Sequence, residues 1–437
     1  MGEKGNILLC LEGMNIGGVE TFVINQALAL KQQKYKVFVI AKEGLYVEKL
    51  NKEGISFIDY EFKMTNYYDT EQIEDIVKIL QDNKITEVHI NQFIPIINVA
   101  IACILANVPY VVYLHFSSIL INTKDDPLDW FEGQCFTYRE NVEFVLSYAY
   151  KIIAISDKVK EYILNRYPKL SKDKVLVLPN SIDFKKFSTN QMVKCIKKYL
   201  LITRFSKEKE PSIKKAIEFF EKYKDKNPDA ELTIVGDGEI YQEFYEKYKE
   251  EMNFIGATSN VKLYIEQADL VMGLGRCIIE SIAMKRIALI STYTEKVGLV
   301  TKDNIEDVMQ NNFAGGNFDD LDDEKLVKRI TDLKSSDIES IVNDNYSFIK
   351  SRLDIDKNLY VTNLKEWDYK VDKEIIRYMI KTNCMLGKSL DSTKEKMEND
   401  WKEHLKYVKY AEDKIASTKR STLKEKIKKV LKNKKRN

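Results

Sequence analysis

Apolar residues in this chain fall into short unbroken runs, separated by longer stretches in which they recur every three or four positions. The first run, residues 6–11, reads Asn-Ile-Leu-Leu-Cys-Leu and does not alternate, as expected of a strand covered on both faces. Residues 19–31 then place Val19, Phe22, Val23, Ala27 and Leu30 at helical spacing. The cycle repeats, with strands predicted at 36–41, 56–60, 87–91, 110–115, 151–156 and 174–179 and helical patterns between most of them. Such repetition closes through right-handed crossovers into a parallel, doubly wound sheet. Residues 184–195 are mostly polar and read as a hinge. A second series follows, with strands at 198–203, 231–235, 253–255, 270–272 and 287–290 and a helix over 211–224 opened by Pro211. Beyond about residue 354 the strands stop and the pattern is helical and heavily charged.

The expected fold class is therefore α/β. It comprises two Rossmann-like doubly wound domains, 1–183 and 184–353, and a helical extension, 354–437. Residues 90–114 carry no charge and invite a membrane reading. Pro95, Asn98, Asn107 and Pro109 break the stretch, and it ends as Val-Pro-Tyr-Val-Val-Tyr, so a buried helix followed by a buried parallel strand fits better.

Composition agrees. A length of 437 residues suits two to three domains at about 150 residues each. Hydrophobic residues at 44% with only 7 prolines exclude wholesale disorder, and 31% charged residues exclude a multi-pass membrane protein. The 69 Lys and Arg nearly cancel the 67 Asp and Glu, which argues against a nucleic-acid binder that is basic throughout. The balance is uneven, however. Residues 414–437 hold eleven of the basic residues and one acidic residue, so this tail carries +10 and the rest of the chain −8. Leu423, Ile427, Val430 and Leu431 share one helical face of the tail, with lysines on the others. That pattern suits the surface of an anionic membrane, and equally a solvated terminus. No aromatic residue follows Tyr410, which speaks against nucleic acid.

No signal-peptide core precedes the first strand. The six cysteines (Cys10, Cys103, Cys135, Cys195, Cys277, Cys384) form no CxxC or Cys/His cluster, so buried free thiols in a reducing cytoplasm are expected. Three histidines, His89, His115 and His404, are too few for a multi-histidine metal site.

Candidate chemistry gathers where strands end, the side of an open α/β sheet on which ligands bind. Gly17-Gly18-Val19-Glu20 lies where the first strand hands over to a helix, and paired glycines admit a ligand close to the backbone. His115 ends the strand 110–115, while His89 sits inside its strand and reads as core. Arg204 and Lys209 follow the strand 198–203, where two cations suit a diphosphate. Gly236-Asp237-Gly238 ends the next strand. The loop Gly273-Leu-Gly275-Arg276 leads into a helix that carries Glu280 one turn in, where a carboxylate suits ribose hydroxyls. Each piece alone also reads as a turn, a solvated loop or a helix cap.

In order, Gly17-Gly-Val-Glu20, Ala154-Ile-Ser156, Leu178-Pro-Asn-Ser-Ile-Asp183, Arg204…Lys209, Val235-Gly-Asp-Gly238, Phe254-Ile-Gly256 and Glu280-Ser-Ile-Ala resemble the retaining GT-B glycosyltransferases of the large group-1 class, family 4. The resemblance spans about residues 5–350. It implies that the second domain holds a nucleotide-sugar donor, with Arg204 and Lys209 on the diphosphate and Glu280 on the ribose. It places His115 beside the transferred sugar and Gly17, Gly18 and Glu20 in the loop that closes over the donor. Gly238, Gly256, Gly275, Arg276 and Ile279 are further substrate contacts it implies. Transfer would proceed with retention, the departing phosphate acting as base, and with no cofactor and no metal. The acceptor would be a glycan, a lipid-linked molecule or a protein, and the activity of hexosyltransferase type, serving polysaccharide biosynthesis. The location would be cytoplasmic, with the tail resting on the inner membrane face.

Two departures stand out. Met272 occupies the place of the earlier glutamate in the family's glutamate pair, and Ser181 the place of a usual glycine. Met272 keeps open a non-catalytic partner of an active transferase, and a nucleotide-sugar epimerase of the same fold is a second alternative. DxD strings at Asp320–Asp322 and Asp354–Asp356 read as solvated acidic surface rather than metal ligands.

Overall fold

The computed structural model describes residues 4–15, 17–63, 68–115, 138–292, 296–318, 322–355 and a set of positions between 373 and 406. The first series of strands is β1 (Asn6–Gly13), β2 (Lys36–Lys42), β3 (Ser56–Asp59), β4 (Glu87–Ile90), β5 (Tyr110–Leu114), β6 (Lys151–Ala154) and β7 (Val175–Val177). They form one sheet in the order β3-β2-β1-β4-β5-β6-β7, every neighbouring pair parallel. The helices between them are α1 (Gly18–Gln32), α2 (Val47–Lys52), α3 (Thr70–Asp82), α4 (Phe93–Ala106), α5 (Tyr138–Tyr148) and α6 (Asp157–Arg166). The uncharged stretch at 90–114 resolves into α4 and β5, the latter buried throughout. Among the described residues no helix is long and apolar enough to cross a membrane.

The second sheet contains β8 (Lys198–Ile202), β9 (Glu231–Val235), β10 (Asn253–Gly256), β11 (Leu270–Gly273), β12 (Ile287–Ser291) and β13 (Val297–Leu299), in the order β10-β9-β8-β11-β12-β13. Its helices are α7 (Glu210–Lys226), α8 (Tyr241–Tyr248), α9 (Val261–Gln267), α10 (Arg276–Ala283), α11 (Ile305–Gln310), α12 (Asp323–Thr331) and α13 (Ser335–Leu353). Strand order reverses beside β1 in the first sheet and beside β8 in the second. The crevices at these two switch points, between β1 and β4 and between β8 and β11, are where such sheets hold ligands.

Residues alternate strictly between the faces of the second sheet. Leu201, Leu270, Met272 and Leu289 pack with Phe219 and Phe220 of α7, whereas Leu200, Val271, Ala288 and Ile290 pack with Ile278, Ile279 and Ile282 of α10. In the first sheet Ile7, Leu9, Leu11, Val37 and Val39 meet Val23, Ala27 and Leu30 of α1. Ile182, fully buried between the two sheets in sequence, donates its N–H to the Leu353 carbonyl at 2.8 Å and accepts from the Ile355 N–H at 3.0 Å. The end of α13 is thereby tied to the segment that links the two sheets.

Three details differ from the sequence expectation. The strand expected at 174–179 shrinks to β7, because Pro179 has no N–H to give a ladder and residues 172–174 form a 3-10 turn. The three-residue β13, antiparallel to β12, was not expected; a glycine at its centre leaves too little apolar run to see. Cys195 is exposed in the polar hinge rather than buried, while Cys10, Cys103 and Cys384 are buried.

A second, smaller compact unit comprises Tyr67–Thr70 and Lys373–Asn437. Its described positions after Lys373 are helical, and Ile376, Ile380 and Cys384 are buried at four-residue spacing. The Tyr68 N–H donates to Asn383 Oδ1 at 3.0 Å. The basic tail 414–437 lies outside the described residues, as do Asp320 and Asp356. Asp322 caps α12 by accepting the Lys325 N–H at 2.8 Å, which gives that half of a DxD string a structural role.

Candidate functional site

At the end of β1 the chain turns through Gly17 into α1. Gly17 is the N-cap and offers no side chain to the first helical amides. Glu20 folds back over it: a Cβ on Gly17 would lie 2.2 Å from Glu20 Oε2, so any larger residue there would push the Glu20 carboxylate aside. Nothing lies within 4 Å of where a Cβ of Gly18 would stand. Burial raises the Glu20 carboxyl above its usual range; its own backbone N–H and the charge of Arg204 oppose this, and Glu12 adds to it. Arg204 follows β8 of the second sheet, so its charge reaches the β1 end of the first. Gly44, after β2, packs against the Met14 backbone, and the Tyr46 N–H donates to the Met14 carbonyl at 2.9 Å. That contact brings Tyr46 and Lys49 into the cleft. Burial raises the Tyr46 phenol, countered by a hydrogen bond with Thr21, and it feels both Glu280 and Arg276.

His115 follows β5 directly. Its Nε2 lies 3.1 Å from Asn91 Oδ1, and the edge of Phe22 meets its ring at 4.6 Å between centroids. Burial pushes its pKa down to about 3, so the imidazole is neutral at ordinary pH. Asn91 in turn approaches Gln26 of α1, and Gln26 approaches His89. His89 is fully buried, as expected of a core residue, but it is bound into this polar group rather than packed as a hydrophobe.

On the second sheet, β8 ends in the loop that carries Arg204. The glycines after β9 brace this loop. A Cβ on Gly236 would lie 1.7 Å from the Thr203 carbonyl oxygen and one on Gly238 2.5 Å from that of Phe205, and both glycines have φ near +145°. The Phe205 N–H donates to the Asp237 carbonyl, and the Gly236 N–H to that of Gly256. Gly238 and Gly256 thus shape the backbone beneath the cations. Arg204 is exposed and pairs with Glu208 at 3.1 Å. Lys209 is half-buried, and burial, then Arg204, pulls its pKa below the usual ammonium value.

Gly275, at φ +70°, turns the chain from β11 into α10. Arg276 donates through Nε to Glu280 Oε1 at 2.9 Å and through Nη1 to the Ser181 carbonyl at 3.3 Å. The pair is largely buried, with side chains 12% and 10% exposed. Burial raises the Glu280 carboxyl, opposed by Arg276, Lys186 and Lys49. Ile279 points into the core, leaving only its backbone toward any ligand. Met272 lies inside β11, fully buried against α7. A bare glutamate in the same packing would cost several kcal/mol, so methionine suits the position as it stands.

Sequence reasoning missed Tyr46, Lys49, Lys186, Gln26 and Asn91. The rule that found Arg204 also applies to Tyr46 and Lys49, which follow the end of β2. Gln26 gave no signal, being one polar residue in an apolar helix. Among the described residues no group of three His, Cys, Asp or Glu side chains is arranged to hold a metal.

Solved structures with this architecture include Anabaena HepE in complex with UDP-glucose, at 15% identity and a TM-score of 0.59, covering 80% of this chain and 96% of that one. A glycosyltransferase from Rickettsia africae is 17% identical with a TM-score of 0.59, covering 88% and 98%. WaaG, a glycosyltransferase involved in lipopolysaccharide biosynthesis, is 13% identical with a TM-score of 0.54, covering 79% and 95%. No curated protein sequence matches the chain. The fold is the GT-B architecture of these glycosyltransferases. The sequence itself matches the family model for Glycosyltransferase Family 4 over residues 16–186, from the first loop to the start of the hinge.

Proposed function

We propose that this protein is a glycosyltransferase that moves a sugar, of hexose type, from a nucleotide-sugar donor to a glycan, lipid-linked or protein acceptor, with retention and without a metal. One observation carries the reading: Arg204 and Lys209 follow β8, at the switch point of the second sheet, and the charge of Arg204 is felt by Glu20 at the β1 end of the first, where it opposes the rise that burial causes. A diphosphate is the group that two such cations suit. Among the described residues Arg204 pairs with Glu208 in an exposed salt bridge, worth about 0.2–1 kcal/mol, so exchanging a carboxylate for a phosphate is cheap. Arg276 holds one oxygen of Glu280 and leaves the other to accept from ribose hydroxyls. As the sugar–phosphate bond breaks, charge grows on the diphosphate, and Arg204 and Lys209 stabilise it. The departing phosphate takes the proton of the acceptor hydroxyl on the same face. His115, neutral, is a hydrogen-bonding partner for the sugar rather than an acid.

Met272, buried in β11, leaves the first glutamate of the pair without a counterpart, so a non-catalytic partner is the alternative that donor hydrolysis distinguishes. The test is a thermal-shift screen with UDP-, GDP- and ADP-sugars, followed by slow donor hydrolysis with and without chelator. A midpoint raised by one nucleotide class, with hydrolysis insensitive to chelator, is expected. No shift with any donor would end the reading; strict manganese dependence would end its metal-free part, and an epimerised donor its transferase part. We place the enzyme at the cytoplasmic membrane face, in polysaccharide assembly, through its basic tail.

A further inference from the structure

Beneath α1 the first sheet carries a line of polar side chains on a face that is otherwise apolar. Glu87, His89 and Asn91 alternate along β4 and just past its end, so they project to one side, among Ile7, Leu9, Val111 and Tyr113. Gln26 of α1 covers them. Glu87 is 4% exposed, and His89, Asn91 and Gln26 are wholly buried. Valine would suit each position on packing grounds, and a buried polar group without a partner costs about 1–3 kcal/mol. Such a line is tolerable only when every link is made.

The links have a direction. A carboxylate only accepts, so His89 Nε2 donates to Glu87 Oε1 at 2.9 Å. Gln26 Nε2 can only donate, so His89 Nδ1 accepts from it at 2.8 Å. Gln26 Oε1 accepts from Asn91 Nδ2 at 3.5 Å, and Asn91 Nδ2 also reaches the His89 carbonyl at 3.4 Å. Asn91 Oδ1 can only accept, so His115 Nε2 donates to it at 3.1 Å. The Tyr113 ring stacks between the two imidazoles, 5.5 Å from His89 and 6.1 Å from His115, and limits their rotation.

We propose that Glu87, His89, Gln26 and Asn91 are positioning residues for His115: together they fix its imidazole as the neutral Nε2–H tautomer, so that after β5 the ring presents Nδ1 as a hydrogen-bond acceptor. On the donor reading above, on which only this last step rests, Nδ1 accepts from a hydroxyl of the transferred sugar.

The chain has only three histidines, His89, His115 and His404, so 15N-histidine labelling of the full-length protein gives three imidazoles to distinguish. Single His→Gln variants assign them. At pH 7, long-range proton–nitrogen correlations should show both His89 and His115 as neutral Nε2–H tautomers. Gln26→Leu cuts the line two links from His115 and should let His115 populate both tautomers. A wrong tautomer costs up to about 10⁴-fold in a hydrolase triad; a mixed population should lower the turnover of donor hydrolysis in proportion to the Nε2–H fraction lost, about twofold for equal tautomers, with KM nearly unchanged. Wild-type His115 found as Nδ1–H or as imidazolium overturns the proposal, whether or not Gln26→Leu folds. So does a Gln26→Leu protein that folds and keeps the tautomer. If the tautomers are as expected but no nucleotide sugar is bound, the positioning line stands and the donor reading fails.

Discussion

Arg204 and Lys209 are five positions apart in one loop, yet their surroundings differ. Arg204 is open to solvent and already paired with Glu208; Lys209 is half-buried with a depressed pKa. Both Arg204→Ala and Lys209→Ala should lower donor turnover by about 10²–10³-fold, the scale of losing one preorganised electrostatic contact, while circular dichroism and the melting midpoint stay near wild type. Wild-type turnover in both variants would remove the diphosphate clamp. His115 adds a prediction about pH. Its folded pKa of about 3 lies below the ordinary 6.5, so the unfolded chain binds the extra proton between those values. Stability therefore rises with pH across this window and is lost as pH falls from 6.5 toward 3, at up to about 1.4 kcal/mol per unit from this residue. Urea unfolding of wild type and His115→Gln at pH 5 and 7 should show a smaller loss on acidification in the variant; parallel losses would mean the ring is solvated. These residues were legible because the ends of strands can be read from the apolar runs. Gln26 and Asn91 were not, since their meaning depends on α1 lying over β4, although Glu87-x-His89-x-Asn91 alternating in a buried strand was a visible anomaly.

Elements were easier to read than the contacts between them. Unbroken apolar runs located all but one of the strands, because a parallel strand covered on both faces has no polar side to confuse the pattern. The β13 strand escaped because it pairs antiparallel at an edge with a glycine at its centre. Met272, which stands where the family pattern has a glutamate, sits inside β11, a strand that continues through Gly273. The glycines show the same gap. Gly236 and Gly238 read as a turn, but they let the loop after β9 press on the loop that carries Arg204. Gly236→Ala would force a methyl into the Thr203 carbonyl and strain a backbone at φ +142°, at a cost on the order of 3 kcal/mol or more. The melting midpoint should fall by several degrees, and any donor affinity with it. Gly18→Ala meets nothing within 4 Å and should leave the midpoint close to wild type, while opposing ligand approach at the β1 end. Equal melting of the two variants would refute the bracing role of Gly236.

At the scale of the whole molecule, the net charge of +2 conceals a division of labour. Residues 1–413 sum to −8 and the tail to +10, so an anionic surface repels most of the chain and attracts its end. Each basic residue near an anionic membrane contributes about 1 kcal/mol, and the attraction fades beyond a Debye length of about 10 Å at 0.1 M salt. The apolar face of Leu423, Ile427, Val430 and Leu431 would add burial that salt does not weaken. The two contributions can be separated. The full chain should float with vesicles rich in phosphatidylserine at low salt, lose part of that binding at 0.5 M salt, and ignore neutral vesicles. A chain ending at residue 413 should not float, yet should hydrolyse donor at the full-length rate, because every donor contact proposed above lies before Glu280 or at it. Equal flotation of the two chains would leave the tail without a membrane role. Loss of hydrolysis on truncation would mean that the tail supports the catalytic fold instead.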